Sequence, residues 1–172
     1  GFTSNPSLMA KAKIRNYSDF ILKINSLTNK NKSVSFEVTR DKLSEIEEQA
    51  LRISKFNPNI SVKIPVVNTK GISTINVIKS LVNKKIKLNV TAILTFEQCK
   101  KIIDQVSPKN EIILSIFAGR IADTGRNPSI TFSKVNNYLK KKKKKKYFKT
   151  LWASTREIYN LFEANEVGAD II

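Results

Sequence analysis

The chain has 172 residues, 41% hydrophobic and 26% charged, an ordinary globular composition with enough length for one domain and a sizeable core. It carries a formal charge of +17 and no histidine, which excludes Ser-His and Cys-His nucleophile pairs, imidazole metal ligands and imidazole acid–base chemistry. Any catalysis falls to Lys, Glu, Asp, Tyr or the lone thiol Cys99, which also excludes an intramolecular disulfide and fits a reducing, cytoplasmic setting.

No apolar run approaches bilayer length, and residues 1–10 lack the basic-then-apolar order of a secretory signal, so a soluble protein without a membrane partner is expected. Lysine outnumbers arginine and is scattered among asparagine and isoleucine. Nucleic-acid binding is therefore the lesser reading of the charge, because a binding stripe calls for clustering.

Residues 1–10 read as the end of a strand running into a Pro-initiated turn or helix, with Asn5 as cap and Pro6 at the first helical position. Phe20, Ile21, Ile24 and Leu27 give a helical period over 17–27, closed by a polar turn at 28–32. Over 33–38 the chain alternates as a strand, with Val34, Phe36 and Val38 opposed to Ser33, Ser35 and Glu37. A helix is expected to open at Asp41 and run to about Phe56, with Leu43, Ile46, Ala50, Leu51 and Ile53 as its buried stripe. The Asn57-Pro58-Asn59 turn stops it.

The next strand, 60–66, is β-branched and carries a lysine, with Ser61, Lys63 and Pro65 on one face and Val62, Ile64 and Val66 on the other. If the lysine's face is covered, desolvation disfavours the ammonium and favours an amine able to attack a carbonyl. If it is open, Lys63 guards an edge strand against aggregation. Gly71 lies in the following connection, and Ile75, Ile78, Leu81 and Val82 mark a helix. A strand over 87–94 sets Leu88, Val90 and Ala92 against Asn89, Thr91 and Ile93. Thr95 and Gln98 have capping-box spacing for a helix to about Val106. The strand over 112–118 opposes Leu114 and Ile116 to Ser115 and Phe117. Another helix ends in the seven lysines 140–146, read as its solvated end, with nucleic-acid binding as the sharper alternative. A strand over 150–154, a helix capped by Ser154 and Glu157 and running through Phe162, and a β-like stub over 169–172 complete the chain.

Alternating strands and helices argue a parallel sheet with helical crossovers, as an open doubly wound sheet or as a barrel. Buried parallel strands are ordinarily apolar on both faces. Here Glu37, Lys63, Asn89, Thr91, Ser115 and Ser154 all sit opposite the aliphatic face. A barrel accounts for this, with polar groups converging on its interior near the C-terminal mouth.

The segments Thr3-Ser4-Asn5-Pro6-Ser7, Val34-Ser35-Phe36-Glu37-Val38, Val62-Lys63-Ile64-Pro65, Leu88-Asn89-Val90-Thr91, Ser115-Ile116-Phe117-Ala118-Gly119-Arg120-Ile121-Ala122-Asp123 and Ala153-Ser154-Thr155-Arg156 resemble, in order, the strand motifs of the transaldolase family. The resemblance implies an α/β fold, a (β/α)8 TIM barrel occupying residues 1–172 as a single domain. It also implies transfer of a dihydroxyacetone unit from a ketose phosphate to an aldose phosphate, in the pentose phosphate pathway, through a lysine Schiff base and without a cofactor. Lys63 would form the imine, with Glu37 and Thr91 holding and activating a water. Asn5 and Asn89 would bind the donor, and Ser115, Arg120, Ser154 and Arg156 the sugar phosphate, Ser154 and Arg156 standing at a helix N-terminus. Phe117 takes the place where aldolases that release free dihydroxyacetone carry tyrosine, which leans toward transfer.

Each role has a plainer counterpart. Glu37 could merely neutralise Lys63, Asn89 and Thr91 could bond to backbone, and Arg120 could pair with Asp123 while Arg126 reaches outward. The family also has a strand before the Asn-Pro motif, bearing an acid–base aspartate, and continues past Ile172. The chain is thus expected to be a barrel fragment incomplete at both ends and lacking the first strand, poorly active or inactive by itself. A fructose-6-phosphate aldolase of the same family and a basic nucleic-acid-binding protein on an inactive barrel are the rival functions, and a homo-oligomer stays open.

Overall fold

The computed structural model describes residues 1–28 and 32–172. Among these, β1 (Phe2–Thr3), β2 (Val34–Glu37), β3 (Ile60–Pro65), β4 (Leu88–Ile93), β5 (Ile112–Phe117) and β6 (Phe148–Ala153) pair in parallel, in chain order. Interleaved are α1 (Pro6–Lys11), α2 (Tyr17–Leu27), α3 (Leu43–Ser54), α4 (Ile75–Asn83), α5 (Phe96–Gln105), α6 (Ala118–Ala122), α7 (Pro128–Lys141) and α8 (Asn160–Glu166). A doubly wound sheet reverses its strand order at a switch point, and no reversal occurs here. The result is an α/β fold with a curled, parallel half-barrel sheet. Past β6, Ile171 makes an isolated parallel bridge to Leu151, so the terminal stub starts to add to the sheet as anticipated.

The aliphatic phase of every long strand faces the helices. Val62, Ile64, Leu88, Val90, Ile93, Ile112, Leu114 and Ile116 are buried there with Ile46, Ile78, Leu81, Ile102 and Phe132. Each fully buried aliphatic side chain contributes about 1.5–3 kcal/mol, and this layer is the core. Trp152 stacks on Phe132, with ring centroids 4.8 Å apart.

Four local expectations change. Asp41 does not open α3; its carboxylate binds the Thr69 backbone N–H and hydroxyl, both at 2.8 Å, and ties the β2–α3 loop to the β3–α4 loop. The Ser154–Glu157 capping box does not form, because Ser154 has φ +64 and the helix begins only at Asn160, whose Oδ1 accepts from the Arg156 N–H at 2.8 Å. The strand expected over 150–154 begins two residues earlier, at Phe148. Nor is the lysine run only a solvated helix end: α7 stops at Lys141, Lys144 Nζ bonds the Ile103 and Val106 carbonyls at the end of α5, and Lys145 pairs with Asp170 at 2.6 Å. The polar turn at 28–32 falls partly outside the described residues.

Candidate active site

The site's floor is the sheet face turned away from the helices. Register aligns its central row: Glu37 lies beside Lys63 and Lys63 beside Asn89, on β2, β3 and β4. Lys63 Nζ is 3.0 Å from Glu37 Oε2 and donates to the Ser4 carbonyl at 3.3 Å. The Lys63 and Glu37 side chains are only 9% and 13% exposed, and β3 has a neighbour on each side, which removes the edge-strand reading. Burying a lone cation is costly, so a carboxylate at this distance holds it in place.

Asn89 is fixed on both sides of its amide. Ser115 Oγ donates to Oδ1 at 2.6 Å, and Nδ2 donates to Ser35 Oγ at 3.4 Å. Ser115 therefore stands with Asn89, deep in the floor, and its hydroxyl is turned to that amide. Thr91 is fully buried, and among the described residues its Oγ1 has no hydrogen-bond partner. Just beyond it β4 bulges: the register steps from Val90–Leu114 to Ile93–Ile116, with Ala92 at φ +58. The extra residue returns Ile93 to the aliphatic core while leaving Thr91 on the polar side.

Tyr17 belongs to the site although the sequence marks it only as a helix start. Phe2 N donates to Ser33 O at 2.9 Å and Ser4 N to Ser35 O at 3.0 Å, so the next donor in this β1–β2 series would be residue 6, a proline without an N–H. The Tyr17 hydroxyl donates to the Glu37 carbonyl instead, at 2.6 Å, and its ring packs edge-on against Phe36. Burial pushes this phenol up to about 12; the nearby Ser4 side chain opposes the rise and the Glu37 charge adds to it. Asn5 caps α1 as anticipated, its Oδ1 accepting from Leu8 N at 2.8 Å, which leaves its Nδ2 for other contacts.

Arg120, on α6 directly after β5, and Ser154 and Arg156, on the loop after β6, lie around Asp123. Arg156 reaches Asp123 with Nη2 at 2.7 Å and Nε at 3.3 Å, while its Nη1 donates to the Ser154 carbonyl at 3.1 Å and hydroxyl at 2.9 Å. The partner of Asp123 is thus Arg156 rather than Arg120. The guanidinium holds the Asp123 carboxyl below the usual range. Gly119 allows α6 and the loop after β6 to cross: a Cβ there would fall 1.8 Å from the Ser154 carbonyl oxygen. Phe117 ends β5, half-buried, in register with Ala153. Ser154 and Arg156 do not stand at a helix N-terminus, since α8 starts at Asn160.

The family described as Transaldolase/Fructose-6-phosphate aldolase matches the chain over residues 1–172. Among curated relatives, a "Probable transaldolase" of Dehalococcoides mccartyi is 28% identical over 99% of this chain and 74% of its own length. A "Probable transaldolase 2" of Listeria monocytogenes is 31% identical over 99% of this chain and 72% of its own. For a "Probable transaldolase" of Nitrosopumilus maritimus the figures are 29%, 100% and 72%. With a curled parallel sheet, a lysine buried against a carboxylate at its centre and this match end to end, the chain belongs to the transaldolase/fructose-6-phosphate aldolase family.

Proposed function

We propose that the chain is the catalytic part of a transaldolase, moving a dihydroxyacetone unit from a ketose phosphate to an aldose phosphate through an imine on Lys63. The observation that carries this is the covered Lys63 nitrogen, 3.0 Å from Glu37 Oε2 and flanked in register by Asn89. The neutral amine adds to the ketone carbon, the carbinolamine loses water, and a protonated imine results. Its positive nitrogen accepts the electron pair of the adjacent C–C bond as that bond breaks; the C4 hydroxyl gives up its proton and an aldose phosphate leaves. The proton passes to the water held in the site, which returns one to the aldehyde oxygen when the acceptor adds. The enamine left on Lys63 then bonds to the acceptor aldehyde, and water hydrolyses the new imine to free the amine.

Glu37, with its carboxylate beside the nitrogen, and Thr91, with its uncommitted hydroxyl, are the residues we assign to holding that water. Asn89, oriented by Ser115 and Ser35, and Asn5 would meet the donor's hydroxyls. Arg120, Arg156 and Ser154 would take its phosphate, since guanidinium forks fit phosphate oxygens. The single-domain barrel closes, in this reading, by further strands between the Ile171 bridge and β1, completing eight.

Borohydride reduction in the presence of fructose 6-phosphate, followed by peptide mass mapping, tests the reading. The expected product is one donor-derived adduct, on the peptide containing Lys63. Trapping is repeated on a chain extended to the relatives' length; an adduct on another lysine, or none in either, sinks the proposal. Free dihydroxyacetone released without an acceptor would assign the aldolase reaction of the family instead.

A further inference from the structure

Arg156 is already engaged. All three of its guanidinium nitrogens donate, in four hydrogen bonds to Asp123 and Ser154. Both carboxylate oxygens of Asp123 lie on Nε and Nη2, the edge that two oxygens of a phosphate monoester would also take. The pair is open to water, with side chains 43% and 45% exposed, so it is weak and exchangeable. Arg120 lies on the same stretch as Asp123, three residues before it on α6, and acts on the Asp123 carboxyl by its charge.

We propose that Asp123 is a specificity-determining residue of this subsite, a carboxylate stand-in that occupies the Arg156 fork until a dianion displaces it. This rests on the reading of Arg120, Ser154 and Arg156 as an anion subsite. A neutral sugar cannot displace the carboxylate, because it offers nothing that replaces the lost charge contact. A phosphate dianion can, because it brings two charges, takes the same two N–H groups and reaches Arg120 as well. Once displaced, the carboxylate stays close and repels the dianion, so discrimination is gained at the expense of affinity. Gly119 is what lets the fork and its stand-in meet, since a side chain there would strike the Ser154 carbonyl and approach Arg156 Cζ to 3.1 Å.

Inorganic phosphate is the probe, titrated calorimetrically into the unaltered chain, Asp123→Asn, Asp123→Glu and Arg156→Gln, with thermal unfolding confirming that each is folded. Removing one exposed charge a few ångströms from the dianion should tighten phosphate binding about fivefold in Asp123→Asn. Asp123→Glu should return toward the unaltered affinity, and Arg156→Gln should weaken binding whatever stands at 123. Equal or weaker binding by Asp123→Asn than by the unaltered chain overturns the stand-in, and leaves the anion subsite intact. Absence of phosphate binding in both overturns the subsite reading and the stand-in together.

Discussion

Lys63, Glu37 and Tyr17 form a relay in which each holds the next. Tyr17 bonds the Glu37 carbonyl, and the Glu37 carboxylate holds the Lys63 ammonium. Tyr17→Phe leaves that carbonyl without its donor and should cost about 1–2 kcal/mol, read as a lower urea midpoint. Because the phenol is raised from 10.0 to about 12, the folded state keeps its proton longer than the unfolded state does. The phenol's contribution is therefore whole below pH 10 and is lost as pH rises toward 12, so the gap between the unaltered chain and Tyr17→Phe should close across that window. A gap that stays constant from pH 9 to 12 would mean the phenol is not held as described. The lysine was legible in the sequence because a cation inside a β-branched strand breaks the local pattern. Tyr17 was not, since its role exists only because Pro6 falls where a ladder donor is needed, a coincidence of register between β1 and β2.

At the level of elements, three helices among the described residues are followed by a lysine where glycine is the usual residue. Lys13, Lys85 and Lys143 have φ of +54, +60 and +54, each inside a pair of hydrogen bonds that closes a helix C-terminus, such as Lys144 N to Leu139 O and Lys143 N to Lys140 O. A side chain in that conformation costs about 1–2 kcal/mol, against about 0.5–1 kcal/mol that glycine loses in chain entropy. Lys143→Gly should accordingly stabilise by about 0.5–1 kcal/mol on the same balance. Its neighbour behaves oppositely: Lys144 binds the carbonyls that end α5, so Lys144→Met should destabilise by about 1 kcal/mol, and Lys141→Met should change little. Urea unfolding of the three variants separates these roles; equal midpoints would return the run to a plain solvated stretch. Composition shows seven lysines alike, and only their positions relative to the end of α7 make them different.

For the molecule as a whole, the end of the chain is fastened by Asp170. Its carboxylate accepts from Lys145 at 2.6 Å and from the Thr150 N–H and hydroxyl at 2.8 and 3.1 Å, and Asn136 holds the Val167 and Gly168 carbonyls beside it. Burial raises the Asp170 carboxyl, but the Lys145 and Thr150 bonds outweigh it and leave the group below its ordinary 3.8. Its stabilising effect is thus complete above that value and fades as pH falls through the lower folded one. The urea midpoints of the unaltered chain and Asp170→Asn should differ at pH 6 and converge on acidification below 3.8; a difference unchanged by acid would refute the assignment. The sequence by itself determined the alternating elements, the parallel sheet, the polar phase carrying Glu37, Lys63, Asn89, Thr91 and Ser115, and the family resemblance, because side-chain period and motif spacing are local properties. Tertiary structure alone decided that Ser115 serves Asn89, that Arg156 grips Asp123, and that Tyr17 and Lys144 complete other elements' hydrogen bonding. Those pairings join residues 20 to 41 positions apart through strand register and loop crossing, which no local pattern encodes.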